Sequence, residues 1–299
     1  MNPKKDNFYF PAEWTMHDAT WLSFPWNIET WEDRFDKIFP SYFEFIRAIS
    51  KNEDVCINVA NDFVRLTVQE NLLKFGINSE RVKLFNIPTN DSWCRDHGPS
   101  FVINKTRNEK AIVNWGYNAW GGKYPPYIDD NAVPERIAHL FNLKLYQPGI
   151  IMEGGSIEVN GAGSLLTSKS CLLNKNRNPH LNRKEIEQYL INYYGVEQIL
   201  WVEDGIVGDD TDGHIDDTTR FVNCNTVITA IEANRLDENH AILKENLQML
   251  KEMRLLNGEA LNIIELPMPE PVYNSGLRLP ASYANFYICN KQVIVPTYR

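Results

Sequence analysis

The stretch of this 299-residue sequence with the clearest chemical potential is GDDTDGHIDDTTRFV, residues 208–222. It surrounds one histidine, His214, with five aspartates: Asp209, Asp210, Asp212, Asp216 and Asp217. Several carboxylates close to one imidazole are typical of three kinds of segment: a metal site, a site for a cationic substrate, or a solvated acidic loop. The residues elsewhere in the chain help to separate these alternatives.

A metal site is the first alternative. Asp212, His214 and Asp216 alternate, as residues on one face of a strand would, and they offer oxygen and nitrogen ligands. However, no second histidine lies at a recognisable ligand spacing. The stretch also lacks the glutamate that closes an EF-hand calcium loop. The sequence therefore predicts no metal and no other cofactor.

A cationic substrate is the second alternative, and three further polar clusters bear on it. They are NDSWCRDHGP (90–99), MEGGSIE (152–158) and LPASYAN (279–285). Two carboxylates can bind the planar, always protonated guanidinium from different edges, and an aromatic ring can cover its face. Asp96 and Asp216 suit the clamp, Trp93 suits the cover, and His214 suits proton transfer. Glu153 is a third carboxylate for the same site.

Composition restricts the partners and the compartment. The net charge is −9, and no Lys/Arg-rich run exists, which argues against nucleic-acid binding. No apolar run is long enough to span a membrane. The five cysteines are scattered and form no C-x-x-C pair, which is typical of a reducing compartment. We expect a cytoplasmic protein without membrane or nucleic-acid partners.

Weakly repeated units position these clusters. Four β-hairpins are predicted, and their equivalent points, Phe101, Ile157, Phe221 and Phe286, are 56, 64 and 65 residues apart. Helical patterns lie between the hairpins, such as residues 181–195 with Gly195 as the C-cap, and a short strand follows each helix. Each polar cluster lies at or just before a first hairpin strand.

The repeat predicts an α/β fold in which about five hairpin–helix–strand units close radially, as a single domain over residues 1–299. The alternative is an ordinary mixed α/β sheet without symmetry. The fifth unit ends at QVIVPTYR, just after its second hairpin strand. We therefore expect the helix and strand that would complete this unit to be missing from the chain.

Long blocks of the sequence resemble the agmatine deiminase family, which groups with the bacterial peptidyl-arginine deiminases. They are WCRDHGPSFV, MEGGSIEVNGAGSLLTSKSCLLNKNRNP, DTDGHIDDTTRFV and RLPASYANFYICNKQVIVP. The resemblance extends from about Pro11 to Pro296. It implies a five-bladed α/β propeller with its site on the central axis. It also implies hydrolysis of agmatine to N-carbamoylputrescine and ammonia, through a cysteine-bound thiouronium and without a metal.

The resemblance also implies roles for individual residues. Asp96 and Asp216 would hold the guanidinium nitrogens, and His214 would protonate the departing ammonia and then activate water. Glu153 would orient His214 or add to the negative field. The nucleophilic cysteine of the family lies in a Gly-rich GGG-x-x-HC motif that this sequence lacks. We expect it beyond Arg299, so that the chain as given would be inactive.

The cysteines of the sequence leave one alternative nucleophile. Cys94 lies two residues from Asp96, and on a strand it would point to the same face. The other four, Cys56, Cys171, Cys224 and Cys289, lie in apolar runs and are expected in the core.

Residues 113–126, VNWGYNAWGGKYPP, bear on the choice of substrate. In this stretch the peptidyl-arginine branch of the family would carry arginines that bind a substrate carboxylate. This stretch has no arginine, which favours agmatine. Trp120 would pack on the butyl chain, and Asp210 or Asp212 would meet the amine. A peptidyl-arginine deiminase and a truncated guanidinium-binding pseudoenzyme are the alternatives. The oligomeric state stays open, with a homodimer as one option.

Overall fold

The computed structural model describes residues 2–32 and 34–298. The position predicted for the nucleophile, beyond Arg299, lies outside the described residues. The strands, in chain order, are β1 Phe8–Tyr9, β2 Ala19–Ser23, β3 Asp54–Val59, β4 Val82–Asn86, β5 Ser100–Asn104, β6 Lys110–Val113, β7 Lys144–Tyr146, β8 Ile157–Val159, β9 Ser164–Ser168, β10 Gln198–Val202, β11 Thr219–Asn223, β12 Thr226–Ile231, β13 Asn262–Pro267, β14 Tyr273–Asn274, β15 Leu277–Arg278, β16 Tyr287–Cys289 and β17 Gln292–Ile294.

The α-helices and single helical turns are α1 Ile28–Trp31, α2 Phe35–Ile49, α3 Asp62–Lys74, α4 Cys94–His97, α5 Ala119–Gly122, α6 Ile128–Asn131, α7 Val133–Leu140, α8 Lys169–Leu172, α9 Arg183–Tyr194 and α10 Asn239–Glu252. Short 3₁₀ turns occupy Pro3–Asp6, Ser79–Arg81, Gly154–Ser156 and Ile215–Asp217. Among the described helices, none combines the length and the apolar character that a membrane span requires.

Small sheets repeat along the chain. The β5–β6, β8–β9 and β11–β12 hairpins are antiparallel, and each is extended by a parallel strand, which is β7, β10 and β13 respectively. The β16–β17 hairpin forms a two-stranded sheet, and β2, β3 and β4 form a parallel sheet. The four predicted hairpins and the mixed α/β fold are therefore confirmed. The radial closure and the single-domain boundary stay predictions.

Local signals fix the helix ends. Helix α9 begins after Asn182, which forms a capping box with Glu185, and it ends at Gly195 in the left-handed conformation with φ 70°. Its buried face presents Ile186 and Leu190 to the core that it shares with the β5–β6 sheet and the β8–β9 sheet. The apolar positions at helical spacing predict this packing directly.

Three polar clusters form one helical turn each, immediately before the first strand of a hairpin. The turn α4 precedes β5, the 3₁₀ turn Gly154–Ser156 precedes β8, and the 3₁₀ turn Ile215–Asp217 precedes β11. The strand-like alternation predicted for residues 212–216 is therefore wrong. Asp212 has φ 68°, and His214 caps the following turn. Cys94 likewise begins a helical turn rather than a strand.

Candidate active site

Gly155 lies at the meeting point of three predicted site residues. A Cβ atom at Gly155 would be 2.6 Å from His214 Nδ1, 2.8 Å from Asp96 Oδ1 and 2.9 Å from Asp216 Oδ2. Only glycine fits at this position, because a Cβ atom would clash with all three side chains. The three helical turns therefore converge as the repeat predicted, and they bring Asp96, His214 and Asp216 around one small volume.

The Asp96 carboxylate is held by two donors from other loops. The amide of Gly155 donates to Oδ1 at 2.9 Å, and Trp120 Nε1 donates to Oδ2 at 3.0 Å. Nδ1 of His214 lies 3.7 Å from Asp96 Oδ1. These contacts fix the orientation of the carboxylate before any substrate enters.

His214 is almost fully buried, and its backbone N–H donates to Asp209 Oδ2 at 3.1 Å. Burial alone would lower the pKa of the ring. The Asp96 carboxylate and the Cys171 thiol oppose this, and the pKa of His214 lies well above its ordinary value. The surrounding groups therefore favour the protonated form of the ring. Its Nε2 atom has no hydrogen-bond partner in the part of the chain that the structure describes.

Asp216 is also buried. Burial raises its pKa, while the charges of His214 and Arg95 act in the opposite direction. Arg95 Nε lies 3.8 Å from Asp216 Oδ2, and Arg95 Nη2 donates to Glu13 at 2.8 Å. A guanidinium of this chain therefore already lies beside Asp216.

Glu153 is completely buried. Its Oε1 accepts a hydrogen bond from Arg177 Nε at 2.8 Å, and within residues 2–32 and 34–298 its Oε2 has no partner. Burial raises the pKa of Glu153, and the Arg177 charge counteracts part of this rise. The sequence singled out Glu153 but missed Arg177, whose only signal was its place in the NKNRNP block.

One group of side chains has donor atoms spaced for a metal ion. Glu153, Cys171 and His214 each offer an atom, and these atoms lie within 4.8 Å of one another. The Arg177 guanidinium bonded to Glu153 disfavours a cation at this point. The metal-free interpretation stays a prediction that this charge balance supports.

The aromatic residues form a wall beside the clamp. Trp93 is 40% exposed and stacks on Trp31 at 5.6 Å between ring centroids. It also meets the edge of Trp120 at 6.1 Å. Trp120 is 8% exposed, and its indole N–H donates a hydrogen bond to Asp96. The sequence did not indicate this contact.

Asp210 and Asp212 lie on the same turn as His214 but bind residues of this chain. Tyr124 donates to Asp210 Oδ2, and Lys123 Nζ donates to Asp212 Oδ1 at 2.6 Å. Arg177 also pairs with Asp212. These cations offset the charge of Asp212, and its predicted contact with a substrate amine stays a prediction, as does that of Asp210.

The thiols of four cysteines are unfavourably placed for ionisation. Burial raises the pKa of Cys94 to about 12, and the pKa of Cys56 and Cys289 to about 11. It also raises the pKa of Cys171. The expectation that Cys224 lies in the core is wrong, because this residue is exposed just after the β11 strand. No buried cysteine here carries the depressed pKa of an activated thiolate.

Comparisons with known proteins agree with this geometry. A sequence model of the Porphyromonas-type peptidyl-arginine deiminase family matches residues 9–299. The agmatine deiminase of Ectopseudomonas mendocina (strain ymp) is 32% identical, covering 99% of this chain and 85% of the relative.

Two solved structures give the same result. A C. jejuni agmatine deiminase with substrate bound is 34% identical, with a TM-score of 0.86, covering 98% of this chain and 83% of that one. The Enterococcus faecalis agmatine deiminase is 30% identical, with a TM-score of 0.88, covering 99% and 85%. Fold and site thus define a hydrolase of the guanidine-modifying class. The chain belongs to the Porphyromonas-type peptidyl-arginine deiminase family, the family of the agmatine deiminases.

Proposed function

We propose that this protein hydrolyses agmatine to N-carbamoylputrescine and ammonia through a cysteine-bound thiouronium intermediate. The observation that carries the proposal is the convergence of Asp96, His214 and Asp216 on the space at Gly155. The relatives named above as agmatine deiminases support the choice of substrate.

The two aspartates form the clamp in this proposal. A guanidinium presents a rigid fork of N–H donors, and Asp96 and Asp216 offer carboxylate oxygens to two of its edges. The Gly155 amide and the Trp120 indole already hold Asp96 in place. The clamp therefore fixes the central carbon of the substrate with little reorganisation.

His214 transfers the protons. A thiolate adds to the guanidinium carbon, and the bond from that carbon to one nitrogen breaks as His214 gives its proton to the departing ammonia. Neutral His214 then takes a proton from water, the water oxygen adds to the carbon, and the carbon–sulfur bond breaks as the second proton of that water passes to solvent. The products are N-carbamoylputrescine and the regenerated thiolate. The raised pKa of His214 supplies the protonated ring that the first step needs.

The nucleophile is not assigned to any of the five cysteines. Burial raises the pKa of four of them, and a raised thiol pKa lowers the fraction of reactive thiolate. Cys94 stays the alternative because it is two residues from Asp96, but its pKa of about 12 counts against it.

The aromatic wall and the acidic turn select the rest of the substrate. Trp93 is 40% exposed and meets Trp120 edge to face, and the butyl chain can pack on this aromatic wall, which includes Trp120. Asp210 is the better candidate for the amine, because Asp212 is already paired with both Lys123 and Arg177.

We also propose that the repeated units close into a five-bladed α/β propeller. Three hairpins with a parallel third strand, a fourth hairpin, and polar turns in equivalent positions support a radial repeat around the site. The TM-scores of 0.86 and 0.88 against agmatine deiminases support the same architecture.

Ammonia release by the full-length gene product tests the proposal. Agmatine, a peptidyl-arginine and free arginine are offered at equal concentrations, with Asp36→Asn on an exposed face as a control beside Asp96→Asn and Asp216→Asn. We expect release from agmatine in the parent and in the control, and strong loss in both clamp variants. Release from the peptide alone would favour the peptidyl-arginine deiminase. Agmatine binding without release would favour the guanidinium-binding pseudoenzyme.

A further inference from the structure

Arg177 is a buried cation beside the site that the proposed mechanism does not use. Its side chain is 0% exposed, as is the side chain of Glu153, to which it is bonded. It lies after α8 in a segment with no regular secondary structure. A charge buried to this degree requires partners that compensate for its lost hydration.

The guanidinium of Arg177 joins two loops that carry predicted catalytic residues. Nε donates to Glu153 Oε1 at 2.8 Å, Nη2 donates to the carbonyl of Thr211 at 2.8 Å, and Nη1 pairs with Asp212. One rigid fork therefore ties the loop of Glu153 to the turn that leads into His214.

The neighbouring residues restrict both loops further. Asn178 accepts from the amide of Ile151 at 2.9 Å and donates to its carbonyl at 2.7 Å, next to the Glu153 loop. On the other side, Asp209 accepts from the amides of Gly213 and His214 at 2.9 and 3.1 Å. Arg177 links these two anchored loops directly.

We propose that Arg177 is a positioning residue for the deimination site. By bonding to both loops, Arg177 fixes the orientation of Glu153 relative to His214. Arg177 bonds to Oε1 of Glu153. Within the described chain, neither Oε2 of Glu153 nor Nε2 of His214 has a hydrogen-bond partner. Glu153 and His214 each offer one possible metal-ligand atom, a carboxylate oxygen and a ring nitrogen, and these two atoms lie within 4.8 Å of each other. Glu153 and His214 can therefore meet, with or without a water between them, as the ring gains or loses its proton.

Arg177 also lowers the pKa of Glu153. The groups that face Glu153 are Arg177, His214, Asp96, Cys171 and Tyr117. Of these, Arg177 makes the largest contribution that lowers the pKa of Glu153 against the effect of burial. Loss of the guanidinium therefore raises the pKa of Glu153 further, and the carboxylate is retained only at higher pH.

The inference rests on the proposed function, and the experiment uses Arg177→Lys and Arg177→Gln in the full-length gene product. Arg183→Gln is the matched control, because Arg183 forms an exposed ion pair with Glu187. We expect kcat for agmatine to fall about 100-fold in Arg177→Gln with little change in KM, since the loss is one of alignment. Arg177→Lys recovers part of this loss, and the control keeps the parental rate.

The pH dependence separates positioning from a purely structural role. We expect the acid limb of kcat to move to higher pH in Arg177→Gln, and this shift to vanish when Glu153→Gln is added. Equal loss of rate at every pH, or the same shift in the Glu153→Gln background, overturns the inference.

A spectroscopic measurement keeps the test independent of turnover. Carboxyl carbon NMR of labelled glutamate, with Glu153→Gln to assign the signal, follows the titration of Glu153 in folded protein. A higher titration midpoint in Arg177→Gln, which removes the charge, supports the inference even if the protein does not hydrolyse agmatine. An unchanged midpoint in a folded Arg177→Gln variant contradicts it. If Arg177→Gln does not fold, Arg177→Lys decides the outcome, because lysine keeps the charge but loses the fork of donors, and a parental kcat in this variant contradicts the inference.

Discussion

Trp120 Nε1 donates a hydrogen bond to Asp96 Oδ2 at 3.0 Å. The contact joins an aromatic residue after the β6 strand to a carboxylate in the turn α4, 24 residues earlier in the chain. Trp120 holds a left-handed backbone conformation with φ 55°, and so does Ala119 with φ 50°. Such a strained segment persists only where surrounding contacts hold it in place, and the bond to Asp96 is one of them.

The first prediction concerns this bond. Trp120→Phe keeps an aromatic ring but removes the donor to Asp96, so we expect kcat/KM for agmatine to fall about 10-fold. Trp201→Phe is the control, because it also removes an indole bond to a carboxylate, Glu187, but on α9. Steady-state kinetics of both variants check this. Equal losses in the two variants would assign the effect to stability rather than to the clamp.

The second prediction concerns the close packing of three side chains around Gly155. Gly155→Ala places a methyl group within 2.9 Å of side-chain atoms of Asp96, His214 and Asp216. We expect at least about a 100-fold loss of kcat/KM, because the clamp must widen. In Gly116→Ala the new methyl meets the flexible end of Ile151 at 2.9 Å, and activity is largely kept. Parental activity in Gly155→Ala would contradict the assignment of Asp96, His214 and Asp216 to the guanidinium site.

The third prediction concerns pH. The Asp96 charge raises the pKa of His214, so Asp96→Asn lowers that pKa. The protonated ring is therefore lost at lower pH in the variant than in the parent. Proton NMR of the imidazole follows this in the parent and in Asp96→Asn without any need for turnover. A His214 midpoint that stays constant, or rises, in Asp96→Asn would show that Asp96 does not govern the ring.

The fourth prediction concerns the substrate amine. Asp210→Asn removes the less neutralised carboxylate of the turn, and we expect KM for agmatine to rise about 10-fold. Butylguanidine has no amine, so its kinetics should not change in the same variant. A parallel loss for both substrates would indicate that Asp210 supports the loop, through its bond with Tyr124, rather than the amine.

The fifth prediction concerns metal ions. The positive charge of Arg177 beside Glu153 disfavours a bound cation, so exhaustive chelation should leave agmatine hydrolysis unchanged. Ammonia release before and after dialysis against a chelator checks this. Loss of activity that a single divalent metal restores would revive the metal hydrolase.

The sequence was informative wherever the signal was local. The hairpins around Phe101 and Phe221 follow from alternating apolar residues and short turns, and α9 follows from apolar spacing with Gly195 as its cap. The convergence of Asp96, His214 and Asp216 could be predicted because their clusters occupy the same place in successive units.

Contacts between units could not be predicted in this way. Arg177 lies in a polar segment with no periodicity, and its bonds reach Glu153 and Asp212 across 24 and 35 residues. Only the packing of the loops determines that this arginine is buried. The strand-like alternation of Asp212 and His214 was wrong for a related reason, since Gly213 at φ 96° and the bonds to Asp209 bend the chain into a turn.

The identity of the product formed from agmatine tests the account most directly. The full-length gene product is incubated with agmatine in water enriched in heavy oxygen, and the products are measured by mass spectrometry beside an ammonia assay. We expect one ammonia for each N-carbamoylputrescine, and one heavy oxygen in its carbonyl group. Asp216→Asn should abolish both signals, and Asp36→Asn should keep them. Putrescine and urea in place of N-carbamoylputrescine, or no product from a folded protein that binds agmatine, would contradict the account.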